Sequence, residues 1–105
     1  MIPIPAAHKK IISTDLFFKR CLLCPSTLVE IHHCWIVAGC QIAEIWAYSP
    51  LCNEHHTGKT GFHCLKAAKE KVEWILINRM TEADMAKYPR IDWKQKKKYL
   101  DSKFR

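Results

Sequence analysis

Thiols and imidazoles are concentrated in one short stretch of the chain, PLCNEHHTGKTGFH at residues 50–63. It contains Cys52 and His55, separated by two residues, and then the further histidines His56 and His63. Thiolate sulfur and imidazole nitrogen are the ligands that zinc prefers in proteins, and neutral imidazoles also bind other divalent transition metals. The stretch therefore raises the question of whether it serves one metal ion or two.

A pair of cysteines with the same two-residue gap lies upstream, at Cys21 and Cys24. Two thiolates at this spacing lie on a tight turn whose backbone amides can donate hydrogen bonds to sulfur, and they supply half of a tetrahedral zinc site. With Cys52 and His55 they complete a Cys₃His set, which is typical of a closed structural zinc site. A redox-active dithiol is the alternative, although redox motifs normally open a helix in a βαβ context that this sequence does not show.

Adjacent histidines occur at the end of a predicted strand, where the sequence reads EIHH at residues 30–33. A single histidine in a small protein is usually a surface or core residue without a ligand. Four imidazoles beyond the one in the Cys₃His set, at His32, His33, His56 and His63, exceed what packing requires. The sequence therefore predicts a second metal site, with open coordination positions, in addition to the closed zinc site.

The composition favours metal ligation over disulfide bonds for the six cysteines of this 105-residue chain. Its first residues, MIPIPAAHKKIIST, contain two prolines and a charged pair where an export signal needs a continuous apolar run. The longest apolar stretch, residues 34–43, is too short to cross a bilayer. We therefore expect a reducing, cytoplasmic location without membrane association, and cysteines in such a compartment bind metal more often than they pair.

Charge is concentrated at the C-terminal end of the chain. Residues 87–105 carry eight basic residues against two acidic ones, and the whole chain has a net charge of +7. A basic end on a nearly neutral body indicates contact with a polyanion, although a lysine run alone is more often a solvated helix face. Within one predicted domain of residues 1–105, we therefore distinguish a core at about residues 19–80 from a basic helical tail at about residues 81–105.

Hydrophobic patterning predicts an α+β order of elements. Residues 28–33 alternate as in a strand, and residues 42–48 form its antiparallel partner, which Pro50 ends because proline cannot donate to the ladder. Residues 63–79 are predicted as a long helix from apolar positions three and four apart. Shorter elements are predicted as a strand or short helix at residues 11–18, a helix capped by Thr81 and a basic helix capped by Asp92.

The order of these motifs resembles the HNH endonucleases, which are also called His-Me finger or ββα-metal nucleases. The resemblance is carried by CLLC at residues 21–24, EIHH at residues 30–33 and PLCNEHH at residues 50–56, and it covers about residues 21–76. The CxxHH pattern followed by glycine and histidine resembles phage-encoded members, of which the Ref-type, RecA-dependent nucleases are the nearest. The fold that this implies is a small zinc-stapled ββα-metal core with additional helices.

The resemblance also implies a reaction, which is metal-dependent hydrolysis of DNA phosphodiester bonds. It implies a structural Zn²⁺ at the Cys₃His set and a catalytic divalent ion, Mg²⁺, Mn²⁺ or another transition metal, at the histidines. DNA is the expected partner, and a recombinase filament is a further expected partner. The expected setting is the cytoplasm of a bacterial host, in a phage or prophage protein.

A role for each histidine of the open site follows from the same resemblance. In the adjacent pair, His32 is expected to bind the metal and His33 to act as general base. His56 is expected to be the next metal ligand, and His63 either a further ligand or a contact to phosphate or to water on the metal. A neutral imidazole with a pKa near neutrality suits a base that takes a proton from water.

One position departs from the family pattern. The family places an asparagine eight or nine residues before the helix histidine, where this chain has Tyr48 and Ala47, and that asparagine usually orients the base. We therefore expect Glu30 or a backbone carbonyl to act as the supporting group that orients His33. Weak or lost catalysis is the alternative.

The expected nucleic-acid contacts are lysines that bind backbone phosphates without reading sequence: Lys59 in the glycine-containing loop, and Lys94, Lys96, Lys97 and Lys98 in the tail. Two other functions stay open. One is a non-catalytic zinc module that binds nucleic acid or a protein, and the other is a Cys/His redox or metal-storage protein.

The remaining cysteines and most tryptophans lack ligand spacing and are expected to pack in the interior: Cys34, Cys40, Cys64, Trp35, Trp46 and Trp74. Trp93 and Tyr99 are interleaved with the tail lysines. They are expected either to pack or to lie along a nucleic acid.

Overall fold

The computed structural model describes residues 4–105, which form an α+β fold, as the sequence predicts. Five α-helices and two antiparallel sheets of two strands each are found within these residues. The elements in chain order are α1 (Ala6–Thr14), β1 (Glu30–His33), β2 (Ile36–Val37), β3 (Cys40–Gln41), β4 (Tyr48–Leu51), α2 (Asn53–Thr57), α3 (Lys66–Ile77), α4 (Glu82–Ala86) and α5 (Trp93–Phe104). Short 3₁₀ turns follow α1 and precede β4, at Leu16–Lys19 and Ile45–Ala47.

The histidines of the candidate site are positioned by the pairing of β1 with β4. The two strands are antiparallel, with His32 opposite Ser49 and His33 opposite Tyr48. Every residue of β4 is buried, so this strand belongs to the core. The β2–β3 hairpin that follows β1 turns through Ala38 (φ 53°) and a glycine (φ 81°), which is the backbone of a type I′ turn.

The strand predicted at residues 42–48 is wrong in position. Ile45–Ala47 form a 3₁₀ turn, and the strand that pairs with β1 includes Pro50 instead of ending before it. The pair that follows the ladder, Cys34 and Ala47, is hydrogen-bonded, because the Cys34 N–H donates to the Ala47 carbonyl at 2.9 Å. Hydrogen-bonded and non-hydrogen-bonded pairs alternate along antiparallel strands. The pair that contains Pro50 is therefore non-hydrogen-bonded and needs no N–H from the proline.

The long helix predicted at residues 63–79 is present in its central part, as α3. Ala68, Val72 and Leu76 are buried along one face of this helix, as their spacing predicts. Leu65 is 45% exposed instead, because it precedes the helix and does not share its buried face.

The predicted basic tail is a helix that packs on the core. Trp93 and Leu100 of α5 are buried, so Trp93 is a packing residue. Two buried glutamates of α3 form ion pairs with lysines of α5: Glu70 with Lys103 at 3.1 Å, and Glu73 with Lys96 at 3.7 Å. The tail is therefore held against the body by both apolar and charged contacts.

The two helix caps that the sequence predicts are confirmed. Thr81 and Asp92 cap α4 and α5, with side chains that accept hydrogen bonds from backbone N–H groups of the first turn. Residues 11–18 are mostly helical, as one of the two predicted alternatives. No helix within residues 4–105 combines the length and the hydropathy needed to cross a membrane.

The prediction for the unassigned cysteines is only partly right. Cys34 is buried, as expected, and Trp35 is buried beside it in the core. Cys40 and Cys64 are exposed, which contradicts the prediction, because Cys40 follows the hairpin turn and Cys64 lies in the loop before α3.

Candidate metal centres

The first candidate centre contains the whole predicted Cys₃His set: Cys21, Cys24, Cys52 and His55. The two upstream cysteines lie in the turn before β1, and the other two ligands lie at the start of α2. The Leu22 N–H donates to the Pro50 carbonyl at 3.0 Å, which joins the cysteine turn to the end of β4. Backbone pairing therefore brings the two halves together.

The spacing of the ligand atoms fits a tetrahedral ion. Cys24 Sγ lies 3.7 Å from Cys52 Sγ, and His55 Nδ1 lies 3.2 Å from Cys52 Sγ and 3.7 Å from Cys21 Sγ. Two sulfurs bound to one tetrahedral zinc at about 2.3 Å are about 3.8 Å apart, whereas a disulfide needs about 2.05 Å. All four ligand atoms lie within 4.8 Å of one another, so the residues are close enough to hold a metal ion.

The thiols of this centre differ in how easily they ionise. Burial alone would raise the pKa of Cys21, but backbone N–H groups of Cys52 and Leu23 donate to its sulfur, and the net pKa is lowered. At Cys24, the Ser26 amide lowers the pKa, but desolvation and the thiols of Cys52 and Cys21 outweigh it, and the net pKa is raised. Metal ligation requires the thiolate form, so binding of a cation at this set would release the remaining thiol protons.

The second candidate centre is a triangle of imidazoles from β1, α2 and the loop after α2. The ring centroids of His32 and His56 are 4.9 Å apart, those of His32 and His63 are 5.0 Å apart, and those of His56 and His63 are 5.1 Å apart. One nitrogen from each ring lies within 4.8 Å of the other two. Three ligands in this arrangement can occupy one side of a divalent ion and leave its other positions open.

His32 supplies a buried nitrogen without a protein partner. Its side chain is 6% exposed, and its Nε2 makes no hydrogen bond within residues 4–105. Burial, and then the neighbouring imidazoles of His56 and His63, lower the pKa of His32 to about 3. A neutral imidazole is the form that binds a metal, and an unpartnered buried polar atom costs free energy unless a ligand satisfies it. The donor set therefore fits a metal ion.

The His56 ring is oriented by a carboxylate. Its Nδ1 lies 2.8 Å from Glu30 Oε1, and this contact lowers the pKa of Glu30. An ionised carboxylate only accepts hydrogen bonds, so Nδ1 of His56 carries the proton and Nε2 is left as the ligand atom. Metal-binding histidines in proteins are commonly oriented by a carboxylate in this way.

The loop after α2 folds back tightly, and this brings His63 to His56. The His63 N–H lies 3.3 Å from the His56 carbonyl that accepts its hydrogen bond. A Cβ at Gly61 would lie 2.5 Å from the Glu54 carbonyl oxygen, so no side chain fits there without displacing the backbone. The sequence predicts a loop instead of continuous helix between the two histidines, and this is confirmed because α2 ends before Gly61.

His33 lies outside the imidazole triangle. Successive side chains of a strand point to opposite faces, so His33 faces away from His32. Its ring lies 4.9 Å from the Tyr48 ring, at an interplanar angle of 80°. The side chain is 4% exposed, its Nε2 has no hydrogen-bond partner in the described part of the chain, and burial lowers its pKa. Glu30, which we expected to orient His33, contacts His56 instead.

The lysines predicted to contact nucleic acid have different surroundings. Lys96 pairs with Glu73, and Lys97 lies 2.8 Å from Asn78 Oδ1 and 3.5 Å from Asp101 Oδ2. Within residues 4–105, Lys94 and Lys98 make no ion pair. Lys59 lies in the turn beside Glu54, whose pKa it helps to lower after the hydrogen bonds from Thr60. The two unpaired tail lysines are therefore the ones most available for a polyanion.

Two residues next to the imidazole triangle carry no signal in the sequence. The Phe62 ring lies 4.1 Å from the His32 ring, and Lys69 Nζ lies 5.9 Å from the Phe62 centroid. Lys69 makes no ion pair within the described residues, and its charge contributes to lowering the pKa of both His32 and His63, after burial and the other imidazoles. Phe62 and Lys69 belong to no sequence motif, so their position next to the histidines is apparent only in the folded structure.

A groove of about 780 Å³ lies apart from both centres, between the end of α3, α4 and the start of α5. Its lining includes Met80, Met85 and Trp93, and none of the candidate metal ligands. The groove therefore does not coincide with either candidate metal centre, and the centres are recognised by the types of side chain that they bring together.

Neither centre can be assigned by comparison with known proteins. No protein-family model matches the chain, and neither the curated proteins nor the solved structures contain a significant match. The geometry of the two centres is therefore the basis for inferring a function.

Proposed function

We propose that the protein is a metal-dependent endonuclease that hydrolyses phosphodiester bonds of DNA, built on an HNH-type ββα-metal core. The observation that carries the proposal is the triangle formed by His32, His56 and His63, in which a buried nitrogen has no partner and a carboxylate orients a second ring. A ligand set made only of imidazoles leaves room for phosphate oxygens on a divalent ion. The order β1, β4, α2 also agrees with a ββα arrangement.

The Cys₃His centre has a different part in this proposal, as a structural Zn²⁺ site. Four ligands that include three thiolates complete a tetrahedral zinc and leave no position for substrate. The site links the turn before β1 to the start of α2, and these segments flank the two strands that carry His32 and Tyr48. Zinc there would fix the distance between His32 and His56.

The proposed reaction is attack of water on a phosphodiester phosphorus. His32, His56 and His63 would hold a divalent ion, Mg²⁺, Mn²⁺ or another transition metal, and such an ion would supply charge neutralisation at the phosphate oxygens. His33 is the expected base for the attacking water, and because it lies on the face of β1 opposite the three histidines with its Nε2 buried, this step requires that Nε2 become exposed. The bond from phosphorus to the leaving oxygen breaks as the new bond forms. The leaving oxygen takes a proton from solvent. Burial lowers the pKa of His33, which favours the neutral form that a base requires.

Binding of DNA in this proposal is electrostatic. Lys69 stands beside the imidazole triangle, and Lys94 and Lys98 on α5 have no ion pair within the described residues. Lysine binds phosphate as a point charge without reading base sequence. The resemblance also implies a recombinase filament as a further partner and a phage or prophage setting. Both remain part of the proposal.

The test is nicking of supercoiled plasmid by the full chain in Mg²⁺ or Mn²⁺. The wild-type protein is expected to nick, and His33→Ala is expected to lose nicking while it keeps DNA binding and one zinc per chain. Nicking by His33→Ala at the wild-type rate would exclude His33 as the base. If the wild-type protein does not nick plasmid in any divalent metal, the proposed endonuclease function is excluded.

A specific observation favours a second candidate, a non-catalytic zinc module that binds nucleic acid. The proposed base, His33, is 4% exposed and its Nε2 is buried, whereas a base must reach water. This candidate predicts one tightly bound zinc and DNA binding without nicking. The plasmid assay combined with a gel-shift measurement separates the two functions.

A further inference from the structure

The groove between the end of α3, α4 and the start of α5 has an apolar floor. Ile77 and Trp93 are buried there, and Met80 and Met85 line it with partly buried side chains. Unbranched methionine side chains adapt to apolar ligands of different shapes. The volume of about 780 Å³ falls in the range of roughly 300–1,000 Å³ that is usual for ligand sites. The floor therefore suits the burial of apolar side chains from another molecule.

The two walls of the groove differ in charge. Arg90 and Lys94 are exposed on the side where α5 begins, and neither makes an ion pair within residues 4–105. Glu82 is exposed on the α4 side, and it too has no ion pair in this part of the chain. An anionic group of a ligand is therefore attracted to the α5 side of the groove and repelled by the α4 side.

The other two charged residues of the lining have partners on α5. Lys97 lies 3.5 Å from Asp101 Oδ2, and the Asp92 carboxylate accepts a hydrogen bond from the Gln95 N–H at 3.1 Å. The lining as a whole has three basic residues against two acidic ones. Residues 87–105, which form the α5 side, carry eight basic residues against two acidic ones. The electrostatic potential over this side of the groove is therefore positive.

The groove does not suit a nucleobase. Among the described residues that line it, Trp93 alone is aromatic. Its ring is buried with its neighbours Trp35 and Trp46 in edge contact, at 5.1 Å and 5.9 Å between centroids, and its Nε1–H donates to the Tyr88 carbonyl. Single-stranded nucleic acids bind by stacking their bases on accessible aromatic faces, and Trp93 offers none. The observations therefore favour a peptide over a nucleic acid.

We propose that this groove binds a segment of a partner protein that combines large apolar side chains with aspartate or glutamate. The apolar side chains enter between Met80 and Met85, and the carboxylates face Arg90 and Lys94. Amphipathic segments bind to apolar grooves of other proteins in this general way. The lining contains none of the candidate metal ligands, so the inference does not rest on the proposed function.

The first test is selection of binders to the full chain from a display library of random short peptides. Enriched peptides are expected to have a net negative charge and to combine aspartate or glutamate with large apolar residues. The result that would overturn the proposal is no enrichment at all, or enrichment of neutral or basic peptides.

The second test measures the Kd of one enriched, fluorescently labelled peptide by anisotropy. Arg90→Glu and Lys94→Glu are each expected to raise the Kd at least about fivefold, whereas Glu82→Gln is expected to lower it by about twofold, because it removes a repulsive charge. Lys94 also belongs to the residues proposed to bind DNA, so Arg90→Glu is the variant that isolates the groove.

The matched control is Lys66→Glu, which reverses an exposed charge at the other end of α3, about 16 Å along the helix from Ile77. This distance exceeds the Debye length of about 10 Å in 0.1 M salt, so the Kd is expected to stay within about twofold of the wild-type value. Circular dichroism establishes that each variant is folded. Equal Kd values for Arg90→Glu and Lys66→Glu would overturn the proposal.

A third readout locates the bound peptide. The chain has three methionines, and two of them, Met80 and Met85, line the groove. In NMR spectra of protein with isotope-labelled methionine methyl groups, the peptide is expected to move both signals, which Met80→Leu and Met85→Leu assign. A single-stranded oligonucleotide and decanoate, at the same concentration, are expected to move them less. Unmoved signals with the peptide, or larger shifts with either of the other two ligands, would overturn the proposal.

Discussion

Nδ1 of His56 lies 2.8 Å from Oε1 of Glu30, and this contact joins the first helix after the sheet to the start of β1. The two residues are 26 positions apart in the chain. The carboxylate fixes which nitrogen of His56 carries the proton, and it thereby leaves Nε2 as the nitrogen that can bind a metal. At least one ring of the imidazole triangle is thus held in place by a hydrogen bond from outside the triangle.

Replacing Glu30 by glutamine is expected to weaken the second metal site. The amide can no longer hold His56 in one tautomer with the strength of a carboxylate, so the affinity for Mn²⁺ or Co²⁺ is expected to fall by about 10- to 100-fold. Isothermal titration of the zinc-loaded protein measures this affinity. Glu82→Gln, an exposed change at the start of α4, serves as control, and equal affinities for Glu30→Gln and the wild-type protein would show that Glu30 does not support the site.

Replacing Cys24 by serine is expected to abolish tight zinc binding. Three ligands remain, and the turn before β1 is no longer joined to α2 by a metal, so the midpoint of thermal unfolding is expected to fall sharply. Metal analysis by mass spectrometry and a thermal melt check both effects. Cys40→Ser, at an exposed cysteine outside both centres, should keep about one zinc per chain. Retention of that zinc by Cys24→Ser would contradict the four-ligand assignment.

Replacing Gly61 by alanine is expected to displace His63. The added Cβ would lie 2.5 Å from the Glu54 carbonyl oxygen, so the loop must move and the free energy of unfolding should fall by about 1–3 kcal/mol. Chemical denaturation measures the stability, and Co²⁺ titration measures the second site. Cys64→Ala, an exposed change in the same loop, is the comparison, and a second-site affinity for Gly61→Ala equal to that of this control would argue against the need for the close approach.

Replacing Lys69 by glutamine is expected to weaken DNA binding at every sequence to a similar extent. A single lost phosphate contact reduces the slope of log affinity against log salt by about 1. Fluorescence anisotropy with a labelled duplex at several salt concentrations gives both quantities. Lys10→Gln removes the same charge from an exposed residue of α1 and should leave the slope closer to that of the wild-type protein; equal slopes in the two variants would show that Lys69 is not part of the interface.

Local chemistry explains what the sequence predicted well. A two-residue gap places Cys21 and Cys24 on one turn, and the same gap places Cys52 and His55 on another, so each half-site follows from a few residues of chain. Thr81 is a helix cap for the same reason, since its partner is three residues away. Features of this kind depend little on the rest of the fold.

Long-range packing explains what the sequence did not predict. Whether Pro50 ends a strand depends on the phase of its pairing with β1, which no local pattern encodes. Whether Lys96 is free depends on Glu73 of α3, which lies 23 residues earlier in the printed sequence. The neighbours of His33 belong to this class too, since Tyr48 meets it only through strand register.

The most direct measurement of the central claim is nicking of supercoiled plasmid by His32→Ala and by the wild-type protein across a Mn²⁺ titration. His32 lies in the imidazole triangle and not in the Cys₃His set, so the variant should keep the zinc proposed for that set. The account predicts Mn²⁺-dependent nicking by the wild-type protein and a loss of at least about 100-fold in His32→Ala at equal zinc content. Equal rates for the two proteins, or no nicking by the wild-type protein at any Mn²⁺ concentration, would contradict it.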